Sequence, residues 1–94
     1  MKVAWTFEAE QDRTAIWDAI AADNPAAADR VLQAFRDAAA KLADFPRLGR
    51  VGKIPDTREL FPHGSYRLMY RVMADMVVVL ALVHTARQWP PPRA

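Results

Sequence analysis

The chain has no cysteine, which excludes a disulfide framework, a thiolate nucleophile and sulfur ligands for zinc, and fits a reducing cytoplasm as the expected compartment. It has only two histidines, with no His pair at helical spacing, so neither a metal centre nor a cofactor is expected. Ser65 is the only serine, and it sits beside Gly64 without the Gly-x-Ser-x-Gly surroundings of an activated nucleophile. Long apolar runs are missing too. The longest, Met76 to Val83, is less than half of a membrane span, and the N-terminus lacks a signal pattern, so neither membrane insertion nor secretion is expected. Glycine is scarce, and Gly49 to Lys53 has neither the spacing nor the following Ser or Thr of a phosphate loop.

What remains is 94 residues, enough for one hydrophobic core that buries roughly 60 to 70% of the unfolded surface. Residues 1–94 are therefore read as a single domain. The net charge of +2 is unevenly placed: positions 1 to 46 hold five basic and eight acidic residues, and positions 47 to 94 eight basic and three acidic. Such asymmetry points to an acidic partner for the second half, or to two halves that attract each other.

Hydropathy periodicity places the elements. Lys2 to Thr6 alternates as a short strand with Val3 and Trp5 on one side. Glu8 to about Ala22 reads as a helix with an acidic start and a stripe of Ala9, Ile16, Trp17 and Ile20. Asp23 or Asn24 can cap a second helix opening at Pro25, with Ala28, Val31, Leu32, Phe35, Ala38, Ala39 and Leu42 as its stripe and Phe45-Pro46 as its stop. Residues 46 to 56, with two prolines, two glycines, Arg47, Arg50 and Lys53, read as a basic loop. Three strands then follow, Asp56–Phe61, Tyr66–Val72 and Met76–His84, antiparallel because their turns are short. The prediction is an α+β fold, β-α-α-β-β-β, with a helical hairpin packed on an antiparallel sheet.

The last strand is apolar at every position before His84, which predicts a central strand covered on both faces. A two-residue turn at Ala74 and Asp75 would align Val72 with Val77 and Tyr66 with Val83 on the helix-covered face. It would leave Arg71, Met69, Arg67 and Ser65 against Val78, Leu80, Leu82 and His84 on the other. On that reading Arg67 and His84 share a surface, and Met69, Val78, Leu80 and Leu82 form an apolar strip. The strip is covered by the tail or docks a partner. Trp89, followed by three prolines that forbid regular structure, is expected to anchor the tail.

The residues that can carry chemistry form a cationic set: Lys53, Arg58, Arg67, His84 and Arg87. Guanidinium groups give forked hydrogen bonds to oxyanions and stay charged at any cellular pH. Blander readings stand beside this one. Arg67 can spread its stem over apolar neighbours, His84 can be a hydrogen-bonded strand end, and Arg58 can pair with Glu59 or Asp56.

Five segments in this order, Asp23-Asn24-Pro25-Ala26-Ala27, Phe45-Pro46 with Gly49-Arg50, Thr57-Arg58-Glu59-Leu60, Tyr66 to Val72, and His84-Thr85-Ala86-Arg87-Gln88-Trp89-Pro90, resemble the RelE/ParE family of bacterial type II toxins. The resemblance spans nearly the whole chain. It implies a growth-inhibiting toxin, linked to plasmid stabilisation and neutralised by a cognate acidic antitoxin, with operator DNA reached only through that antitoxin. It also implies one of two targets. RelE-like members cut messenger RNA on the ribosome, directing a 2′-hydroxyl at the next phosphate, whereas ParE-like members poison DNA gyrase. Arg67 and Arg87 match arginines that the nucleases set on the scissile phosphate. Thr57 and Glu59, however, stand where those enzymes carry lysines, and Pro90 to Ala94 contains no tyrosine. His84 is left as the one candidate proton acceptor.

The resemblance thus leans to gyrase inhibition. Arg50, Lys53, Arg58, Arg67, Arg87 and Trp89 are then the expected target-binding residues, with Met69, Arg71, Leu80 and Leu82 for the antitoxin. Should the chain be an enzyme, His84, Arg67 and Arg87 are the catalytic candidates. A non-toxic module that binds an acidic partner is the reading from another class.

Overall fold

The computed structural model describes residues 1–92; the last two positions of the Pro90–Ala94 segment lie outside them. The order is β1 (Lys2–Trp5), α1 (Phe7–Ala21), α2 (Pro25–Asp44), β2 (Arg50–Val51), β3 (Thr57–His63), β4 (Tyr66–Met73) and β5 (Met76–His84). The helix ends follow local chemistry. Thr6 is extended and its side chain accepts a hydrogen bond from the Ala9 N–H at 3.0 Å, while Glu8 and Glu10 lie in the positive first turn of α1. Asn24 rather than Asp23 caps α2, accepting from the Ala27 N–H at 3.1 Å, with Pro25 in its first turn.

The strands form one sheet in the order β1-β5-β4-β3-β2. β1 runs parallel to β5, and the other pairs are antiparallel. β2 was not expected. Inside the basic loop, Arg50 pairs with Glu59 and Val51 with Arg58, so the loop contributes an edge strand.

The helical hairpin covers one face of the sheet. Ala28, Val31, Phe35, Ala38, Ala39 and Leu42 of α2 are buried, whereas α1 buries only Ala9 fully and packs Ile16 and Ile20 partly against the core. Phe35 meets Tyr66 edge-on at 5.8 Å between ring centroids. Together with Leu68, Tyr70, Val77, Val79 and Leu82 these residues make the core, each large one contributing about 1.5–3 kcal/mol by leaving water. β5 is central between β1 and β4 as expected, but helices cover only one of its faces. Val78 and Val83 on the other face are half-buried.

The β4–β5 register differs from the expected one at a single point. Met73 to Tyr70 pair as predicted, opposite Met76 to Val79. A bulge then inserts Leu80, so that Met69 faces Ala81, Leu68 faces Leu82, Arg67 faces Val83 and Tyr66 faces His84. An extra residue in a strand exchanges the faces of everything beyond it. Leu82 and His84 therefore turn to the helix side, and Arg67 and His84 do not share a surface. The bulge brings Leu82 rather than Ala81 opposite Leu68 and into the core cluster beneath the helices.

Candidate functional site

On the face away from the helices, alternation sets Thr57, Glu59 and Phe61 of β3 beside Arg67, Met69 and Arg71 of β4. Glu59 is the hub. Only 8% exposed, its carboxylate accepts from Arg50 Nε at 2.6 Å and from Arg67 Nη1 at 3.5 Å. Arg50 also lies over the Phe61 ring at 4.8 Å, a cation–π arrangement. Arg67 Nη2 donates to the Arg87 carbonyl at 2.6 Å, so the guanidinium bridges the sheet and the tail. Among the described residues, the Nε atoms of Arg67 and Arg71 are buried without a partner. Met69 stands between these two arginines in β4 and is only 2% exposed, consistent with stems lying flat over it.

The expected apolar strip is therefore not an open surface. Met69 and Leu82 are buried by the chain itself, and on opposite faces of the sheet; Leu80, at the bulge, is the half-exposed member. Arg71 is also half-exposed.

Arg58 points the other way. Its Nη1 donates to the carbonyls of Gly49 at 2.8 Å and Arg47 at 3.4 Å, holding the basic loop in place of the pairing with Glu59 or Asp56 considered above. The Tyr70 hydroxyl holds the same loop. It donates to the Pro46 carbonyl and accepts from the Gly49 N–H, both at 2.8 Å, and burial raises its pKa against the opposing pull of the Gly49 bond and the Arg58 charge. Gly49 has to be glycine here, since a Cβ would sit 2.7 Å from the Tyr70 ring and 2.8 Å from the Glu59 carbonyl. Lys53 and Arg87 are exposed.

His84 lies edge-on to Tyr66 at 5.4 Å, and its Nδ1 accepts from the Ala86 N–H at 3.0 Å. Trp89 is half-buried and lines a groove of about 820 Å³ with Ile16, Ala19, Leu80 and His84. Among the described residues no three His, Cys, Asp or Glu side chains are grouped to hold a metal ion, and no helix is long and apolar enough to cross a membrane.

Sequence reasoning missed Glu59 as a hub, and also Asp12 of α1, which accepts from the Leu82 N–H at 3.1 Å. Burial raises the Asp12 pKa; the Leu82 bond opposes this and the nearby Glu8 charge adds to it. Glu59 was legible as the one carboxylate in Thr57-Arg58-Glu59-Leu60 on the same side as Arg67. Asp12 gave no such signal, because its partner is a main-chain group 70 residues away.

A helical hairpin on one face of a small sheet is a fold shared with solved toxin structures. A chain from the chromosomal ParDE system of P. aeruginosa superposes with a TM-score of 0.68 at 21% identity, covering 89% of this chain and 95% of that one. The YoeB/ParE toxin from Agrobacterium tumefaciens gives 0.65 at 16% identity, covering 89% and 98%. The family model that spans residues 3–89 and relatives more than 30% identical give this chain's class, the toxin component of a type II toxin–antitoxin system. The chain belongs to the ParE toxin family: residues 3–89 match the family described as the ParE toxin of the type II toxin-antitoxin system parDE. Y4kP of Sinorhizobium fredii is 37% identical over 90 residues, 95% of this chain and 93% of that protein. Toxin RelE2 of Caulobacter vibrioides is 36% identical over 86 residues, 92% and 97% of the two chains. Membership implies a cognate antitoxin as partner.

Proposed function

We propose that the chain inhibits growth by poisoning DNA gyrase, acting as a binding protein, and that its antitoxin neutralises it by occupying the toxin surface. The observation that carries this reading is the separation of Arg67 from His84. Cleavage at a 2′-hydroxyl needs a proton acceptor, a proton donor and a cation converging on one phosphate. Here the bulge puts the arginine and the histidine on opposite faces, and the arginine is already bonded to Glu59 and to the Arg87 carbonyl. A gyrase poison needs only a complementary surface, which Arg50, Phe61, Arg67 and the exposed Arg87 offer together.

One observation favours the alternative, a ribosome-dependent endoribonuclease: Glu59 is a carboxylate set between two guanidinium groups, a composition suited to accepting a proton beside a phosphate. Both of its oxygens, however, are engaged by arginines within the chain.

The purified protein is expected to inhibit supercoiling and to promote gyrase-dependent DNA cleavage while leaving messenger RNA intact on translating ribosomes. His84→Ala should weaken this activity without abolishing it. Codon-specific messenger RNA cleavage in a reconstituted translation system, lost on His84→Ala or Glu59→Gln, would overturn the gyrase assignment.

A further inference from the structure

The segment leading from α2 into β2 interleaves apolar and basic side chains. Phe45, Leu48 and Val51 alternate with Arg47, Arg50 and Lys53, and residues 45–53 contain no acidic group. Phe45 is 64% exposed, Leu48 51% and Val51 73%, so three of the seven large apolar side chains left exposed among the described residues fall within one short stretch. Apolar residues scattered singly over a surface are ordinary, but a cluster of them marks a contact site.

Local geometry gathers these side chains. The Leu48 N–H donates to the Phe45 carbonyl at 3.1 Å, closing a turn whose ends lie within about 7 Å of each other. Arg50 pairs with Glu59 and Val51 with Arg58, so alternation sends Arg50 to the outer face and Val51 to the helix side, where α2 ends. What holds the main chain is polar and comes from the sheet. The Tyr70 hydroxyl bonds the Pro46 carbonyl and the Gly49 N–H, Arg58 bonds the carbonyls of Arg47 and Gly49, and the Gly52 N–H donates to the Thr57 carbonyl at 2.8 Å. A loop fixed in this way gives up little further freedom on binding, which favours affinity.

We propose that residues 45–53 form a ridge that docks on the toxin's protein target, with Phe45, Leu48 and Val51 entering an apolar depression and Arg47 and Lys53 meeting carboxylates at its rim. This deepens the gyrase reading above and rests on it. Charge complementarity selects an acidic occupant, because every charged side chain of the ridge is basic. The apolar half of the pattern selects protein over nucleic acid. A sugar-phosphate backbone is met by arginine, lysine and stacking aromatic rings, whereas Leu48 and Val51 gain only by burial against other apolar groups. The ridge lies on the β2 edge, at the opposite end of the strand order from β1, and Arg50 makes it continuous with the arginine-bearing outer face.

The test is inhibition of supercoiling by purified gyrase holoenzyme, together with amide hydrogen exchange of the toxin. Leu48→Glu and Val51→Glu alter exposed side chains, so circular dichroism should be unchanged while the concentration for half-inhibition rises about 30-fold or more. Arg47→Glu should raise it about tenfold at low salt and less at high salt, since a rim charge is screened. Phe7→Glu changes a residue that is 69% exposed at the start of α1, away from the ridge, and should leave inhibition unchanged. Amides of residues 47–53 should exchange at least about tenfold more slowly when gyrase is bound. If a glutamate variant loses its circular dichroism, Arg47→Glu and the exchange footprint decide. Parental inhibition by folded Leu48→Glu and Val51→Glu, or protection confined to other segments, would overturn the ridge while leaving the gyrase reading intact. Protection of the ridge by duplex DNA alone, or by the co-encoded antitoxin and not by gyrase, would assign it to that partner and also overturn the proposal. If the parent toxin does not inhibit gyrase at all, the ridge assignment and the gyrase reading fall together.

Discussion

The guanidinium of Arg67 lies 2.6 Å from the main-chain carbonyl of Arg87, so one arginine of the outer face positions the segment that carries another. Arg67→Ala removes both the charge and the tether. Growth inhibition should be relieved, and amides around Ala86 and Arg87 should exchange faster, with the far-ultraviolet circular dichroism unchanged. Arg87→Ala keeps the carbonyl, so it should relieve inhibition without loosening the tail. Arg67→Lys should behave more like alanine than a charge count suggests, since an ammonium cannot reproduce the planar fork that reaches Glu59 and Arg87 together. Full toxicity of both alanine variants at equal expression would remove the outer face from the mechanism.

Tyr70→Phe deletes a buried hydroxyl that serves two main-chain groups of the basic loop. Leaving the Gly49 N–H and the Pro46 carbonyl without a partner should cost about 1–3 kcal/mol. Each kcal/mol lowers Tm by about 4–8 °C in a domain of this size. Thermal unfolding of the variant checks the magnitude, and faster exchange at Gly49 checks the cause.

Glycine substitutions should divide sharply. Gly49→Ala drives a methyl group against the Tyr70 ring and a β3 carbonyl, neither of which can yield without moving the sheet, and should destabilise by about 1–3 kcal/mol. Gly64 has no atoms within 4 Å of an added Cβ, and no glycine here has positive φ. Gly64→Ala should be neutral or stabilise by up to about 1 kcal/mol through the unfolded state. Denaturant midpoints of the two variants, compared with the parent, decide this.

Asp12 gives a pH dependence whose sign follows from its raised pKa. The folded state binds this proton more tightly than the unfolded chain. The group therefore favours folding most below the ordinary carboxylate value of 3.8, and that contribution is lost as pH rises through the folded-state value. Asp12→Asn keeps an acceptor for the Leu82 N–H and removes the titration. Its stability relative to the parent should be more favourable at pH 7 than at pH 3. Equal differences at both pH values would show that Asp12 is not desolvated in the fold.

Most of the architecture was legible because it rests on local signals. Pro25 after Asn24, the Phe45-Pro46 stop and the Ala74-Asp75 turn are short-range devices, and the α2 stripe from Ala28 to Leu42 repeats at helical spacing. The family was legible for a related reason: its residues cluster at turns and strand ends, where sequence and geometry are closely tied. The site was less so. A one-residue bulge leaves no mark in a strand as uniformly apolar as Met76 to Val83, and so the pairing of Arg67 with His84 on one face was wrong. β2 was hidden because two residues between glycines have no periodicity, and their strand character comes from Glu59 and Arg58 across the gap.

The phase change at Leu80 makes tolerance to substitution alternate differently along the two halves of one strand. Up to Val79 the odd-numbered positions, Val77 and Val79, are sealed and Val78 is partly open; beyond the bulge Leu82 on the helix side and Ala81 on the outer face are both sealed, and Val83 is partly open. A polar residue should thus be accepted at 78 and at 83 but at none of 77, 79, 81 or 82. Two toxins that differ by a single insertion or deletion near this point would exchange which side chains they show to a partner while keeping the same fold. Changes of specificity among such chains can therefore arise from length at the bulge as readily as from the identity of any one side chain.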